Sequence, residues 1–142
     1  TVHSLARLLA LFDGVELFLV APEAIRMKAD VLADLEEKGV RYHEEPDLQA
    51  VARRVDVIYQ TRLQKERFPS PEAYRRLEGI YRITPNLLET MQPGAIIMHP
   101  LPRAGEIDPS VDRDPRAAYF RQARNGVTVR MALLALCLGA WK

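Results

Sequence analysis

The sequence has little of what metal and disulfide chemistry require. Cys137 is its single cysteine, so an internal disulfide is excluded. It lies in the apolar run MALLALCLGAW, which predicts a packed core thiol rather than a nucleophile, in a protein of the reducing cytosol. The three histidines are isolated and no close carboxylate cluster accompanies them, so we predict no metal site and no metal cofactor.

Several catalytic and ligand-binding motifs are also missing. The serines, Ser4, Ser70 and Ser110, stand outside any G-x-S-x-G elbow, which argues against a hydrolase triad. Neither a G-x-G-x-x-G nor a G-x-x-x-x-G-K-[ST] motif is present, so nothing indicates a dinucleotide or NTP site. The chain has 20 basic and 19 acidic residues with interspersed signs, and no apolar run is long enough for a bilayer. We therefore predict neither nucleic acid nor a membrane as a partner.

What the sequence does have is an alternation of buried strands and helices. Its 142 residues are enough for one globular domain with a core of its own. Short apolar strands such as VELFLVAP and GAIIMHP alternate with segments of helical period, and a long helix is expected from about residue 114 to 140. This order predicts a Rossmann-like, doubly wound α/β fold, with a mainly parallel sheet and helices on both faces.

Ligands of such sheets bind outside the carboxyl ends of the strands, and two polar segments follow strand ends directly. In TRLQKERF, Arg62 and Gln64 are two residues apart and project to one side if the chain stays extended. An arginine fork with an amide beside it can hold a small acidic substrate. The alternative is a surface loop in which Arg62 pairs with Glu66 or another local acid.

The second segment is HPLPR. Pro100 and Pro102 fix their own φ and push His99 and Leu101 toward extended geometry, so the segment is rigid. Its carbonyls can face the ammonium group of a ligand, or the prolines can simply end a strand. His99 at this strand end can equally well hydrogen-bond the backbone and do nothing else.

Four segments together resemble the aspartate carbamoyltransferase family. They are TVHSL, DVIYQTRLQKERF, HPLPR with EI soon after, and DPRAAYFRQARNGVTVRMALLAL, in the family's order and spacing across essentially the whole chain. Ornithine carbamoyltransferases are similar in fold but have H-C-L-P in place of H-P-L-P. The similar region is the C-terminal aspartate-binding half of a family subunit, so we expect residues 1–142 to be a single aspartate-binding domain without the carbamoyl-phosphate domain.

The resemblance implies a reaction and its partners. Carbamoyl phosphate would transfer its carbamoyl group to the amino group of L-aspartate, in pyrimidine biosynthesis and in the cytoplasm, with no cofactor. The family implies a homotrimer, and regulatory chains or fused pathway enzymes stay open as further partners. We expect this chain alone to be inactive. The alternatives are a non-catalytic carbamoyltransferase-like module for binding or assembly, and a carbamoyltransferase for another amino acid.

The resemblance also implies site residues, although it assigns no catalytic residue to this half. Arg62 would clamp the side-chain carboxylate of aspartate, with Gln64 beside it, while Pro100 and Leu101 would turn their carbonyls to the reacting groups. Thr1 matches a position that contacts a substrate carboxylate. Supporting charges, expected mostly in structural ion pairs, are Lys65, Glu66, Arg103, Glu106 and Arg130.

Overall fold

The structure, a computed structural model, describes residues 1–63, 68 and 70–140. The chain forms two compact units, one from Thr1 to Arg54 and one that begins at Val55. The single aspartate-binding domain over residues 1–142 stays a prediction, because two compact units can belong to one functional domain.

The first unit alternates helices with a pair of parallel strands. Its elements are α1 (Val2–Leu9), β1 (Glu16–Val20), a 3₁₀ helix (Glu23–Ile25), α2 (Ala29–Glu37), β2 (Arg41–Glu45) and α3 (Leu48–Ala52). In the β1–β2 pair, Glu16 lies opposite Arg41 and Val20 lies opposite Glu45.

The core of the first unit lies between α1 and α2. Ala6, Val31 and Leu35 are buried, and Met27 packs against them although the backbone on either side of it is extended. The helical spacing of apolar residues in IRMKADVLADLEE predicts one helix from about residue 25 to 37, but α2 begins only at Ala29. Gly39 follows α2 at φ 67°, the left-handed conformation expected there.

The second unit contains the other strand pair. Its elements are β3 (Val57–Tyr59), α4 (Pro71–Leu77), α5 (Pro85–Thr90), β4 (Ile96–Met98), a 3₁₀ helix (Pro109–Arg113) and α6 (Tyr119–Cys137). The strands β3 and β4 are parallel, with Val57 opposite Ile96 and Tyr59 opposite Met98. The predicted α/β class with parallel strands is confirmed.

Ile97 in β4 lies at the centre of the second unit. On the side away from β3, the Ile97 N–H donates to the Arg116 carbonyl at 2.8 Å, and the Ile97 carbonyl accepts the Ala118 N–H at 2.9 Å. Ile97 is fully buried. The buried hydrophobic residues of this unit are Ile58, Ile83, Leu87, Leu88, Met91, Ala95, Ile97, Ile107, Val111, Ala118 and Tyr119.

Two expectations about the last helix are wrong. The helix begins at Tyr119 rather than near residue 114, because a 3₁₀ helix and a turn closed by Asp114, which accepts the Arg116 N–H at 2.9 Å, come first. Cys137 is exposed rather than packed, because the apolar residues of the last turns of α6 are themselves exposed. Within the described part of the chain, no helix has the length and apolar character needed to cross a membrane.

Candidate functional site at the strand ends

The two polar segments leave the same edge of the sheet. Because β3 and β4 are parallel, their carboxyl ends lie side by side, and the Gln60 N–H extends the pairing by donating to the Met98 carbonyl at 3.0 Å. Arg62 follows on one strand and His99 on the other. The Gln60 side chain also ties this edge to the chain before α5, through a 3.0 Å bond to the Tyr81 carbonyl.

The loop of residues 99–106 has an unusual backbone. The extended geometry predicted for Leu101 is wrong, because Leu101 has φ 46°, in the left-handed region that residues other than glycine rarely occupy. The Leu101–Pro102 peptide bond is cis. Pro100 and Pro102 are exposed and Leu101 is half-buried. A left-handed leucine persists only where surrounding contacts fix it, so the neighbours of this loop determine where its carbonyls point.

One of those neighbours is the His99 ring, which is 1% exposed. The Leu101 N–H donates to His99 Nδ1 at 2.8 Å, and His99 Nε2 lies 2.6 Å from Glu106 Oε1. Since a backbone N–H can only donate, Nδ1 is the acceptor, and Nε2 carries the proton that reaches Glu106. The His99 N–H donates to Gln122 Oε1 at 2.9 Å, which links the loop to α6.

Glu106 closes the same loop from its far end. While Oε1 faces His99, Oε2 accepts the Ala104 N–H at 2.9 Å. The charges of Glu106 and Arg62 both act on the Tyr74 hydroxyl, whose pKa is raised mainly by burial and by Glu78.

Arg103 holds the loop from a second direction. Its guanidinium forms a two-point ion pair with Asp112 of the 3₁₀ helix, with Nη2 to Oδ2 at 2.6 Å, and the Tyr119 hydroxyl donates to the same carboxylate. The guanidinium also lies 5.7 Å from the Tyr119 ring centroid. Arg103 is thus in an ion pair within the second unit, and its role as a supporting charge at a substrate site stays a prediction.

The titration of this cluster follows from its contacts. The hydrogen bond from Arg103 lowers the pKa of Asp112, and the same bond raises the pKa of Arg103. Burial, with the Asp112 carboxylate beside it, raises the pKa of Tyr119 to about 12. At neutral pH the three groups are therefore an arginine cation, a carboxylate and a neutral phenol.

The remaining predicted site residues are placed as follows. Thr1 belongs to the first unit, where it is exposed and its carbonyl accepts the Ser4 hydroxyl at 2.9 Å. Arg130 is exposed on α6 and its guanidinium lies over Gly126, so close that a Cβ there would be 2.9 Å from Nη1. Three predicted residues lie outside the described part of the chain: Gln64, Lys65 and Glu66.

The structure adds residues that the sequence pattern did not indicate. Asp112, Tyr119 and Gln122 all contact the loop of residues 99–106. They are separated from their partners by 9 to 23 positions in the sequence. No local periodicity or motif relates positions so far apart, so only the tertiary fold reveals them.

Comparison with protein families gives a match over most of the chain. Residues 1–137 match the family model described as aspartate/ornithine carbamoyltransferase, Asp/Orn binding domain. Among curated proteins, the chain is 50% identical over 139 residues to the aspartate carbamoyltransferase catalytic subunit of Thermococcus onnurineus, covering 98% of the chain and 44% of that protein. It is 52% identical over 142 residues to the chloroplastic aspartate carbamoyltransferase of Arabidopsis thaliana, covering 99% and 36%.

Solved structures agree in fold. The aspartate transcarbamoylase of Trypanosoma cruzi in complex with carbamoyl phosphate and aspartate superposes with a TM-score of 0.85 at 44% identity, covering 94% of this chain and 45% of that one. This likeness supports the Rossmann-like α/β fold. The chain spans less than half the length of these relatives.

Proposed function

The chain belongs to the aspartate/ornithine carbamoyltransferase family, and from this premise we propose that it forms the aspartate-binding half of an aspartate carbamoyltransferase. In the proposed reaction the α-amino nitrogen of L-aspartate attacks the carbonyl carbon of carbamoyl phosphate. The products are N-carbamoyl-L-aspartate and phosphate, as in de novo pyrimidine biosynthesis. The observation that supports the proposal is the parallel pairing of β3 with β4, because the segments that contain Arg62 and HPLPR then follow the same edge of the sheet.

The chemistry required of this half is orientation. The amino group must be neutral to attack, and the transition state gathers negative charge on the carbonyl oxygen and the phosphate, so fixed donors and acceptors contribute most of the catalysis. We assign the side-chain carboxylate of aspartate to Arg62, with Gln64 beside it. The carbonyls of Pro100 and Leu101 would accept hydrogen bonds from the amine, and Thr1 would contact a substrate carboxylate.

The supporting charges would keep these groups in place. Arg103 binds Asp112 of the 3₁₀ helix and Glu106 binds the Ala104 N–H of its own loop, which suits residues that hold a loop rather than a ligand. Arg130, Lys65 and Glu66 are assigned the same supporting role, and the proposed reaction needs neither a metal nor an organic cofactor. The T. cruzi relative was solved with carbamoyl phosphate and aspartate bound, which supports both substrates.

The proposed partners follow from the family. We propose that the activity requires the carbamoyl-phosphate half, which the relatives have in addition to the region matched here, and that the complete enzyme is a homotrimer. Regulatory chains or pathway enzymes would be additional partners. We propose a cytoplasmic location, although the Arabidopsis relative is named as chloroplastic.

The direct test supplies the carbamoyl-phosphate half, fused or as a separate protein, and measures carbamoylation of labelled aspartate and, in parallel, of ornithine. We expect product from aspartate alone, and none from the isolated chain. Arg62→Ala should lower kcat/KM for aspartate by about 100-fold, because a charge-assisted two-point contact of about 3 kcal/mol is lost. Arg53→Ala, which removes an exposed arginine after α3, is the matched control.

Three results would contradict the proposal. Turnover by the chain alone would show that no second half is needed. Preference for ornithine or another amino acid would assign the chain to a different branch of the family. The ornithine branch has H-C-L-P, whereas this chain has H-P-L-P. Binding of aspartate without turnover in the reconstituted protein would favour a non-catalytic module.

A further inference from the structure

His99 is buried to 1% exposure, yet every polar atom of its ring is used within its own loop. Nδ1 accepts the Leu101 N–H at 2.8 Å, and Nε2 faces Glu106 Oε1 at 2.6 Å. Both bonds are short and neither partner lies outside residues 99–106. The ring therefore braces the loop internally, and the contacts described leave no ring nitrogen for a ligand.

The bond to Leu101 is the one that acts on the reactive segment. Leu101 adopts φ 46°, which an L residue with a large side chain rarely does, so its conformation must be fixed by contacts. Its N–H, the donor held by His99, and its carbonyl flank the same Cα. Fixing the N–H at φ 46° restricts the direction of the carbonyl that follows.

We propose that His99 is a positioning residue, whose unprotonated Nδ1 holds the Leu101 N–H and thereby aims the Leu101 carbonyl at the amino group of bound aspartate. This rests on the proposed function for the identity of the amino group. His99 itself touches no substrate in this arrangement. Its contribution to the reaction passes entirely through the backbone of Leu101.

Glu106 has a defined part in the same arrangement. A neutral imidazole carries its proton on one nitrogen, and only the form with the proton on Nε2 leaves Nδ1 free to accept. The Glu106 carboxylate, itself fixed by the Ala104 N–H at 2.9 Å, accepts from Nε2 and so selects that form. Glu106 thus determines that Nδ1 of His99 is the nitrogen that accepts the Leu101 N–H.

The competing explanation is that His99 only fills space and links to Glu106. Two substitutions separate the explanations, because each retains the hydrogen bond of a different ring nitrogen. His99→Asn puts an oxygen where Nδ1 was, and an Asn oxygen commonly accepts the backbone N–H two residues later, here that of Leu101. His99→Gln is closer in volume and reaches toward Glu106, but it offers no such local acceptor.

The experiment compares these variants in the protein reconstituted with its carbamoyl-phosphate half. We expect His99→Asn to retain kcat/KM for aspartate within a few-fold of the wild type, and His99→Gln to lose about 100-fold, as misplacing one reactive group by about 1 Å does. The affinity for inorganic phosphate, which the other half recognises, should not change in either variant. The opposite order of the two variants, or equal losses in both, would overturn the proposal.

A second measurement uses the wild-type protein and requires neither an activity assay nor a folded variant. In ¹⁵N spectra of histidine-labelled wild type at neutral pH, His99 should show an unprotonated Nδ1 and a protonated Nε2, and the Leu101 amide should exchange slowly. A protonated Nδ1 would refute the role of His99. Failure of the wild type to carbamoylate aspartate would instead refute the proposed function, while these spectra would still decide whether His99 holds Leu101.

Discussion

Asp112→Asn tests the ion pair that joins Arg103 of the loop to the 3₁₀ helix Pro109–Arg113. Asp112 accepts two bonds from Arg103 and one from Tyr119, so an amide in its place loses the charge and turns a donor toward the guanidinium. The side chains of Arg103 and Asp112 are 22% and 28% exposed. Such a pair lies between exposed pairs, worth about 0–1 kcal/mol, and buried pairs, whose disruption costs about 3–5 kcal/mol.

We therefore expect Asp112→Asn to lower the free energy of unfolding by about 2 kcal/mol, a change of about 30-fold in the folding equilibrium. Urea unfolding followed by circular dichroism at neutral pH measures it, with the slope m checked for constancy. The matched control is Asp56→Asn, the same chemical change at an exposed residue before β3, expected within about 0.5 kcal/mol of the wild type.

The same prediction has a pH dependence of known sign. Arg103 holds the pKa of Asp112 below its usual range, so the folded protein binds that proton less readily than the unfolded chain. The stabilisation is present above the unfolded pKa of about 3.9 and is lost as pH falls through the lower folded pKa. The difference between wild type and Asp112→Asn should shrink as the pH falls below about 5. A difference below about 0.5 kcal/mol at neutral pH, or one that grows in acid, would refute the reasoning.

Two further substitutions test the core and the phenol. Tyr119→Phe should remove the tyrosine that ionises near pH 12 in an alkaline absorbance titration. Because that pKa lies above the unfolded value of about 10, the associated stability is present below pH 10 and is lost as pH rises toward 12; a Tyr119 that titrates with exposed tyrosines would contradict this. Ile97→Ala at a fully buried position should cost about 2–5 kcal/mol in urea unfolding, whereas Val57→Ala at a side chain 46% exposed should cost much less, and equal costs would contradict the core assignment.

Local signals predict those helix starts and ends that are made by local contacts. Thr84 accepts the Leu87 N–H and precedes Pro85 at the first helical position, so residues close together in the sequence determine where α5 begins. Gly39 takes the left-handed conformation that ends α2 for the same reason. Such features need no knowledge of what the element packs against.

Burial was harder to predict than secondary structure. The apolar run around Cys137 predicts a packed helix, but the structure exposes much of that part of α6, including Leu134 at 63% and Leu138 at 80%. Composition states which side chains favour burial, and a helix is buried only where a complementary surface lies against it. Within the chain as described, nothing in the run itself distinguishes the two outcomes.

The HPLPR loop shows how far the sequence carries toward a site. Its prolines predict a rigid, extended segment, and they leave two roles open: ending β4 or aiming carbonyls at a ligand. Ending a strand requires only that pairing stop, which the backbone achieves at Met98. Yet His99, Arg103 and Glu106 all bond within or from this loop.

Three side-chain braces on eight residues, one of them selecting an imidazole tautomer, exceed what a strand end needs. Holding Leu101 at φ 46° also raises the free energy of the folded state, and such a conformation persists only where surrounding contacts fix it. A hydrogen bond between His99 and the backbone is therefore compatible with a role of His99 in the proposed reaction. Through the hydrogen bond from the Leu101 N–H to Nδ1, the buried His99 can orient the carbonyl of Leu101.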